Sequence, residues 1–163
     1  MSIIRSVCAV LVLLGTVTLA AQAPAHAATS GAAVEAARYG GSAAGNAALD
    51  WAEARAAGCW YAYGGTSCAQ GYDCSGLVME AFGQGAGIWL PRTTYAMLGS
   101  PHLHWIPASK ARRGDLAFYG SGHVELVTFR GTFGALHTGT HIGWHRPSVW
   151  WQPTMYFRVS LTP

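Results

Sequence analysis

Residues 71–78 read GYDCSGLV and decide the fold, because they carry the chain from a loop into a helix. From Cys74 onward, apolar side chains recur at three- and four-residue spacing, at Leu77, Val78 and Phe82. That spacing predicts a helix with one buried face. The helix is therefore expected to begin beside Cys74 and to hold this residue at its N-terminus.

Cys74 has the setting of a reactive thiol. A helix N-terminus presents unpaired N–H groups and a partial positive charge, which favours the thiolate that attacks an amide carbon. Asp73 is the expected N-cap, and Ser75 and Gly76 leave room for a substrate. The N–H of Cys74 is an expected part of an oxyanion hole. The alternative, on spacing alone, is a small buried core cysteine.

Working outward from this junction, helical signals come first and strand signals follow. Residues 46–57 are expected to form a helix with Asn46 as its N-cap and Gly58 as its stop, and residues 93–98 a short one. Strands are expected at residues 115–119, 123–129, 135–138 and 155–159. The first two are joined by a Gly-containing turn and form a hairpin. This order indicates an α+β domain with N-terminal helices packed on an antiparallel sheet.

His123 is the expected general base, because it opens a strand directly after a Gly-Ser-Gly turn. A neutral imidazole there can accept the thiol proton and later return it to a leaving amine. His137 lies on the next expected strand, and there it would hold the His123 ring in place. His141 and His145 stay open as alternatives for that orienting role. On a helix, the four-residue spacing of these three histidines would put their imidazoles on one face and suggest a metal site. No metal site is expected here, because the glycines and threonines between them disfavour a helix.

The N-terminal residues predict export. A positive Arg5, a short apolar run and an Ala-x-Ala site make residues 1–27 an expected secretory signal peptide. The run is shorter than the about 20 residues of a membrane span, so no stable membrane association is expected. Residues 28–45 are an expected Ala/Gly-rich flexible arm, either a linker or a pro-segment, and residues 46–163 the domain. The formal charge is +3 without a basic run, which disfavours nucleic-acid binding.

Signal cleavage would remove Cys8 and leave three cysteines in an oxidising compartment. Three thiols cannot pair fully within one chain, so one stays free. The favoured pairing joins Cys59 to Cys68, stabilises the fold by about 2–3 kcal/mol, and leaves Cys74 free. The competing pairing joins Cys68 to Cys74, and the disulfide would then switch off the nucleophile.

Five motifs in order give the chain a family resemblance. Two of them lie at residues 61–65 (YAYGG) and 71–78, and the others at residues 90–94 (LPRTT), 113–119 (RGDLAFY) and 122–124 (GHV). Together they resemble the NlpC-type cell-wall cysteine peptidases over residues 46–159. The resemblance implies a papain-like α+β fold and hydrolysis of an amide in peptidoglycan stem peptides, often between D-glutamate and the diamino acid.

The resemblance also implies roles for single residues. Cys74 is the expected nucleophile, His123 the base and His137 the third polar residue. Tyr61 is expected to bind the substrate or the oxyanion through its hydroxyl. Asp73 and Ser75 are the expected flanking residues that contact the substrate. A monomer without a cofactor is expected.

Glu125 departs from the family pattern, which usually has a small residue at this place. On an alternating strand Glu125 shares a face with His123. A carboxylate there would raise the pKa of His123, contact a substrate amine or face solvent. The residues leave these three alternatives open.

Two other functions fit the same residues. In the first alternative, the protein is an amidase, an acyltransferase or a secreted toxin that uses the same fold on a different amide or ester. A non-catalytic wall-binding module would use the aromatic side chains around the cleft. A degenerate module is expected to have lost Cys74 or His123, and both are present.

Overall fold

The computed structural model describes residues 41–161, in which three helices precede most of the strands. The helices are α1 (Ala43–Ala56), α2 (Cys74–Ala86) and α3 (Thr94–Met97). A two-stranded ladder, β1 (Thr66–Ser67) and β2 (Gly71–Tyr72), lies between α1 and α2. The remaining strands are β3 (Leu103–Ile106), β4 (Leu116–Tyr119), β5 (His123–Thr128), β6 (Gly131–Gly134), β7 (Gly143–His145) and β8 (Met155–Val159).

The six later strands form one antiparallel sheet in the order β3-β8-β4-β5-β6-β7. Helix α1 packs along α2, and α2 lies against β5 and β6. The core between these layers holds Leu49, Phe82, Phe118, Leu126 and Phe133, each fully buried. The expected α+β fold with helices packed on an antiparallel sheet is therefore confirmed.

Helix α1 begins earlier than the sequence indicates. Ser42, not Asn46, is the N-cap, and its hydroxyl accepts a hydrogen bond from the Gly45 N–H at 2.9 Å. Asn46 is buried inside the helix, where its side-chain oxygen accepts a hydrogen bond from Arg113 at 3.1 Å. The predicted cap was wrong because a tertiary contact uses the Asn46 side chain. The last residues of the predicted arm, from Ala43 onward, are helical.

The strand predictions hold at β4, β5 and β8 but fail after β5. The structure has a strand at Gly131–Gly134, and residues 135–138 lie in the connection that follows. Thr128 pairs directly with Gly131, so the hairpin is tighter than the sequence indicates. His137 therefore lies in a turn and not on a strand. Strands β3 and β7 were not predicted.

The predicted signal peptide with Cys8, and the predicted arm as far as residue 40, lie outside the described residues. Within residues 41–161, no helix has the length and apolar character needed to cross a bilayer. The domain bounds of the sequence analysis remain a proposal.

Candidate active site

Cys74 is the first residue of α2 and is partly exposed. Asp73 is the N-cap, and its carboxylate accepts the Gly76 N–H at 2.7 Å. Cys59 and Cys68 are joined by a disulfide, and Cys74 is the free cysteine among the described residues. The sulfur thus lies at a capped helix N-terminus, where the helix dipole favours negative charge.

The glycines around Cys74 allow two backbone segments to touch. A Cβ atom at Gly76 would lie 2.2 Å from the carbonyl oxygen of Gly65, which no folded chain tolerates. The missing side chain lets the loop that begins at Tyr61 pack directly on the start of α2. The Asp73 N–H also donates to the Gly65 carbonyl at 3.2 Å. These contacts hold the loop that follows Tyr61 against the start of α2, beside Cys74.

The Asp73 carboxylate is saturated by protein groups. Arg92 binds it through both guanidinium nitrogens, at 2.9 and 2.7 Å. The N–H of Gly64 donates to Oδ2 at 2.8 Å, and the Ser75 hydroxyl donates to Oδ1 at 3.3 Å. Burial would raise the pKa of Asp73, but Arg92 and the backbone N–H groups hold that pKa below its usual value. Asp73 therefore positions the loop, Arg92 and Ser75, and has no acceptor to spare.

His123 is the first residue of β5 and is 9 % exposed. Its Nε2 atom lies 3.4 Å from Oε1 of Glu125, which is fully buried. Within residues 41–161 neither atom makes a hydrogen bond at good geometry. The ring and the carboxylate therefore face each other as an ion pair whenever the ring is charged.

Glu125 is held by groups from three strands. Its Oε2 atom accepts hydrogen bonds from the hydroxyls of Tyr119, at 3.0 Å, and Thr132. His145 of β7 approaches the other carboxylate oxygen, with Nε2 at 4.0 Å from Oε1. A Cβ atom at Gly134 would lie 2.6 Å from Cγ of Glu125. The carboxylate thus fills the space that a side chain from β6 would occupy.

The electrostatics favour a charged imidazole. Burial would lower the pKa of His123, but the interactions with Cys74 and Glu125 outweigh it and raise the pKa to about 9. Burial would raise the pKa of Glu125, but His123 and Thr132 hold it below its usual value. Burial raises the pKa of Tyr61, and the negative charges of Cys74 and Asp73 raise it further, so the hydroxyl keeps its proton.

An open cavity of about 490 Å³ connects these groups. It is lined by Tyr61, Cys74, Ser75, Arg92 and His123, together with neighbouring backbone. The Cys74 thiol, the His123 imidazole, a phenol and a guanidinium therefore face one solvent-accessible space.

The structure brings most of the predicted site residues together and leaves some apart. Tyr61, Asp73, Cys74, Ser75 and His123 line this one cavity. His137 is exposed, and its Nδ1 lies 2.9 Å from the carbonyl of the next residue, in the turn after β6. The atom beside Nε2 of His123 belongs to Glu125 and not to His137.

The other two histidines have separate surroundings. The His141 ring contacts Trp60 with ring centroids 3.7 Å apart and planes inclined at 34°. His145 contacts Glu125 and the Gly134 carbonyl. Nowhere in residues 41–161 do three His, Cys, Asp or Glu side chains gather as a candidate metal site.

Sequence reasoning missed the role of one contributor to the site and left that of another open. Arg92 lies within one of the quoted motifs, yet nothing local indicates that it reaches Asp73, 19 positions earlier. Glu125 was recognised as sharing a face with His123, but its contact with the ring depends on Gly134 of a neighbouring strand. Gly134 is the last residue of β6, and no local pattern around it indicates this contact.

Comparison with known proteins matches this geometry. A family model described as the NlpC/P60 family matches residues 58–155. The bifunctional muramidase/DL-endopeptidase CwlT of Bacillus subtilis is 39 % identical over 83 residues, which cover 51 % of this chain and 22 % of CwlT. The peptidoglycan endopeptidase RipB of Mycobacterium tuberculosis is 43 % identical over 58 residues, which cover 36 % of this chain and 23 % of RipB.

A solved structure gives the same result at the level of the fold. The peptidoglycan hydrolase RipB from Mycobacterium tuberculosis superposes with a TM-score of 0.62 at 26 % identity, over 80 % of this chain and 72 % of that one. In sequence, this chain spans less than a quarter of the length of the two curated relatives. The family model covers more than half of the chain, and the chain therefore belongs to the NlpC/P60 family.

Proposed function

We propose that the protein is a secreted cysteine endopeptidase that hydrolyses an amide bond in peptidoglycan stem peptides. The bond we propose joins D-glutamate to the diamino acid. One observation carries the proposal: a free thiol at a helix N-terminus shares an open cavity with a histidine that faces a buried carboxylate. The names of the relatives support this substrate class, since one is a peptidoglycan endopeptidase and the other a muramidase/DL-endopeptidase.

In the proposed reaction the Cys74 thiolate adds to the amide carbon, and Tyr61 and the N–H of Cys74 bind the oxyanion. Collapse of the adduct breaks the C–N bond. The His123 imidazolium gives its proton to the departing amine, which leaves a thioester on Cys74. Water, deprotonated by His123, then hydrolyses the thioester to a carboxylate and restores the thiol.

We assign the orienting role to Glu125 instead of His137. The Glu125 carboxylate lies beside Nε2, so the Nε2–H tautomer is favoured and Nδ1 is left to exchange a proton with the sulfur. Tyr119 and Thr132 fix the carboxylate, and its negative charge stabilises the imidazolium. Glu125 touches no substrate in this scheme and is a positioning residue.

Digestion of defined muropeptides by the purified protein, followed by product masses, tests the proposal. Wild-type protein is expected to release a product that ends in D-glutamate and another that begins with the diamino acid. Cys74→Ala and His123→Ala are expected to abolish release. His104→Ala, on the edge strand β3, serves as a histidine control that retains activity.

Two results would count against the proposal. Retention of most activity in Cys74→Ala or in His123→Ala would refute the thiol mechanism. Product masses that place the cut elsewhere, for example between sugar and peptide, would keep the mechanism and replace the substrate bond.

A further inference from the structure

An exposed aromatic surface lies at the β7 edge of the sheet and is separate from the cavity of Cys74. Two cavities of about 390 and 250 Å³ adjoin there, and both are lined by Thr128, Arg130 and Trp144. Neither shares a lining residue with the cavity of Cys74. Thr128 and His123 are the two ends of β5, and the extended strand separates them by about 16 Å. A ligand at this edge is therefore bound outside the proposed reaction site.

Trp144 is exposed, yet its orientation is fixed. Its indole N–H donates a hydrogen bond to Oε1 of Glu53 at 2.9 Å. Its ring meets the buried ring of Phe133 edge to face, with centroids 5.1 Å apart. Glu53 is held in turn by the Arg113 guanidinium at 3.1 Å. Because 61 % of Trp144 is still exposed, a flat ring is ready for a ligand and loses little conformational entropy on binding.

Two arginines accompany the Trp144 ring. Arg130 and Arg146 are exposed, and both line the smaller cavity together with Trp144. In the described part of the chain neither guanidinium forms an ion pair, whereas Arg92 and Arg158 bind carboxylates. Guanidinium groups without a protein partner are suited to bind carboxylate groups of a ligand. We call Arg130, Trp144 and Arg146, with the cavities that they line, the Trp144 surface.

The larger cavity adds hydrogen-bond acceptors. Asp50 and Glu53 line it beside Trp144, and the Asp50 side chain is 50 % exposed. Their carboxylates accept hydrogen bonds from hydroxyl or amide N–H groups and repel anions. A ligand that fits the whole surface therefore has a flat apolar face, neutral O–H and N–H donors, and negative charge on the side of the two arginines.

Acetamido sugars that carry carboxylates combine these properties. The C–H groups of a sugar ring form an apolar face, and its hydroxyl and acetamido groups are donors. In peptidoglycan, the stem peptides place carboxylates beside such sugars. We propose that the Trp144 surface is an exosite that binds the glycan strand of peptidoglycan. The choice of polymer rests on the proposed function. A second contact on one polymer raises the effective concentration of stem peptides at the Cys74 cavity.

Binding of peptide-free sugar chains tests the exosite without involving the reaction. The full chain in a Cys74→Ala background is titrated by calorimetry with glycan strands from which an amidase has removed the peptides. These strands keep their lactyl carboxylates. Trp144→Ala is expected to weaken binding by about 10-fold. Trp105→Ala is the matched control, because Trp105 is 65 % exposed on β3, at the opposite edge of the sheet, and it is expected to bind as before. Equal affinities of the two variants would overturn the proposal.

The charged part of the surface has its own test. Arg130→Ser combined with Arg146→Ser is expected to weaken binding of glycan strands by about 10-fold. The same variant is expected to bind chitin oligosaccharides, which lack carboxylates, within about 2-fold of the unsubstituted surface. Arg112→Ser removes another exposed arginine and is the control. Equal losses with both sugars would contradict a role for the arginines in binding carboxylates. This double variant replaces Trp144→Ala if that variant does not fold.

Other occupants of the surface give different results. Tighter binding of a single-stranded oligonucleotide than of glycan strands, lost in Trp144→Ala, would replace the glycan by a nucleic acid. Self-association in sedimentation that is lost in Trp144→Ala, without binding of strands, would replace it by a second copy of the chain. Either result would overturn the proposal.

The exosite and the proposed function fail separately. Strand binding that depends on Trp144, in a protein that cleaves no muropeptide, would support the exosite and contradict the proposed function. Cleavage of muropeptides by a protein that binds no peptide-free strand would contradict the exosite alone.

Discussion

Two buried carboxylates flank the proposed nucleophile and base, and they differ in their partners. Asp73 binds Arg92, which carries its charge at every working pH, and all its acceptor positions are used. Glu125 faces His123, whose charge changes, and its Oε1 atom makes no hydrogen bond in the described structure. Asp73 holds the Gly64 loop and Arg92 in place. The interaction of Glu125 with His123, in contrast, changes when the imidazole gains or loses a proton. The predictions below test this division, from the largest expected effect to the smallest.

Glu125→Gln is expected to lower kcat/KM by about 100-fold near pH 8, because the amide keeps the shape but not the charge that stabilises the imidazolium. The pKa of His123, raised to about 9 in the wild type, falls in this variant. The alkaline loss of activity therefore moves to lower pH. Steady-state pH profiles measure both effects.

Stability gives an independent readout of the same pair. A raised pKa for His123 stabilises the fold fully below the ordinary histidine pKa of about 6.5, and that contribution is lost as pH rises through about 9. In Glu125→Gln this contribution is expected to be smaller, and its loss to be complete at a lower pH than in wild type. If the free energy of unfolding falls over the same alkaline pH range in Glu125→Gln and in wild type, the assigned role of Glu125 is wrong.

Arg92→Met is expected to lower the free energy of unfolding by about 2 kcal/mol, because it leaves the Asp73 carboxylate buried without its charged partner. The value is below that of a fully buried pair because the Arg92 side chain is 34 % exposed. Chemical denaturation measures the loss. Arg112→Met, which removes an exposed arginine, is the control and is expected to stay within about 0.5 kcal/mol of wild type. Equal losses of stability in both variants would show that Arg92 does not stabilise the fold through its ion pair with Asp73.

Gly134→Ala is expected to displace the Glu125 carboxylate, because the new methyl group would lie 2.6 Å from Cγ of Glu125. We expect a loss of about 1 kcal/mol in stability and about 10-fold in kcat/KM. Gly143→Ala on the neighbouring strand β7 adds a methyl group in open space and is the matched control. Equal activity of the two variants would show that the carboxylate does not depend on the missing side chain.

His145→Gln has the smallest expected effect, less than about 3-fold in kcat/KM, because His145 contacts Glu125 at 4.0 Å and not His123. The alkaline limb of the pH profile is expected to stay where it is in wild type. A shift as large as that of Glu125→Gln would mean that His145 shares the proton-responsive role.

Local patterns were enough to predict the helix that begins at Cys74 and its cap. Asp73 as a cap, apolar spacing along α2 and small residues around Cys74 are all properties of a short stretch of chain, and the structure has the helix there. The hairpin that presents His123 is equally local, since its turn and both strands are adjacent in sequence.

The strand that follows could not be placed in the same way. Gly131–Gly134 contains two glycines and little apolar alternation, so its position is set by pairing with β5 and β7. With β6 in its observed place, His137 moves into a turn. The contact of Glu125 with His123 is a tertiary property for the same reason, because it depends on the absence of a side chain on another strand.

The missing side chain at Gly134 has a consequence for how the site can change over generations. A side chain at residue 134 and the Glu125 side chain would occupy the same space. Residues 125 and 134 are therefore expected to vary as a pair, with a large residue at one excluding a large residue at the other. Glu125→Ala combined with Gly134→Glu would move the carboxylate to the neighbouring strand, and each single change would be worse than both together. Substitutions at these two positions are therefore expected to be accepted only when the space beside the His123 ring stays filled by one side chain.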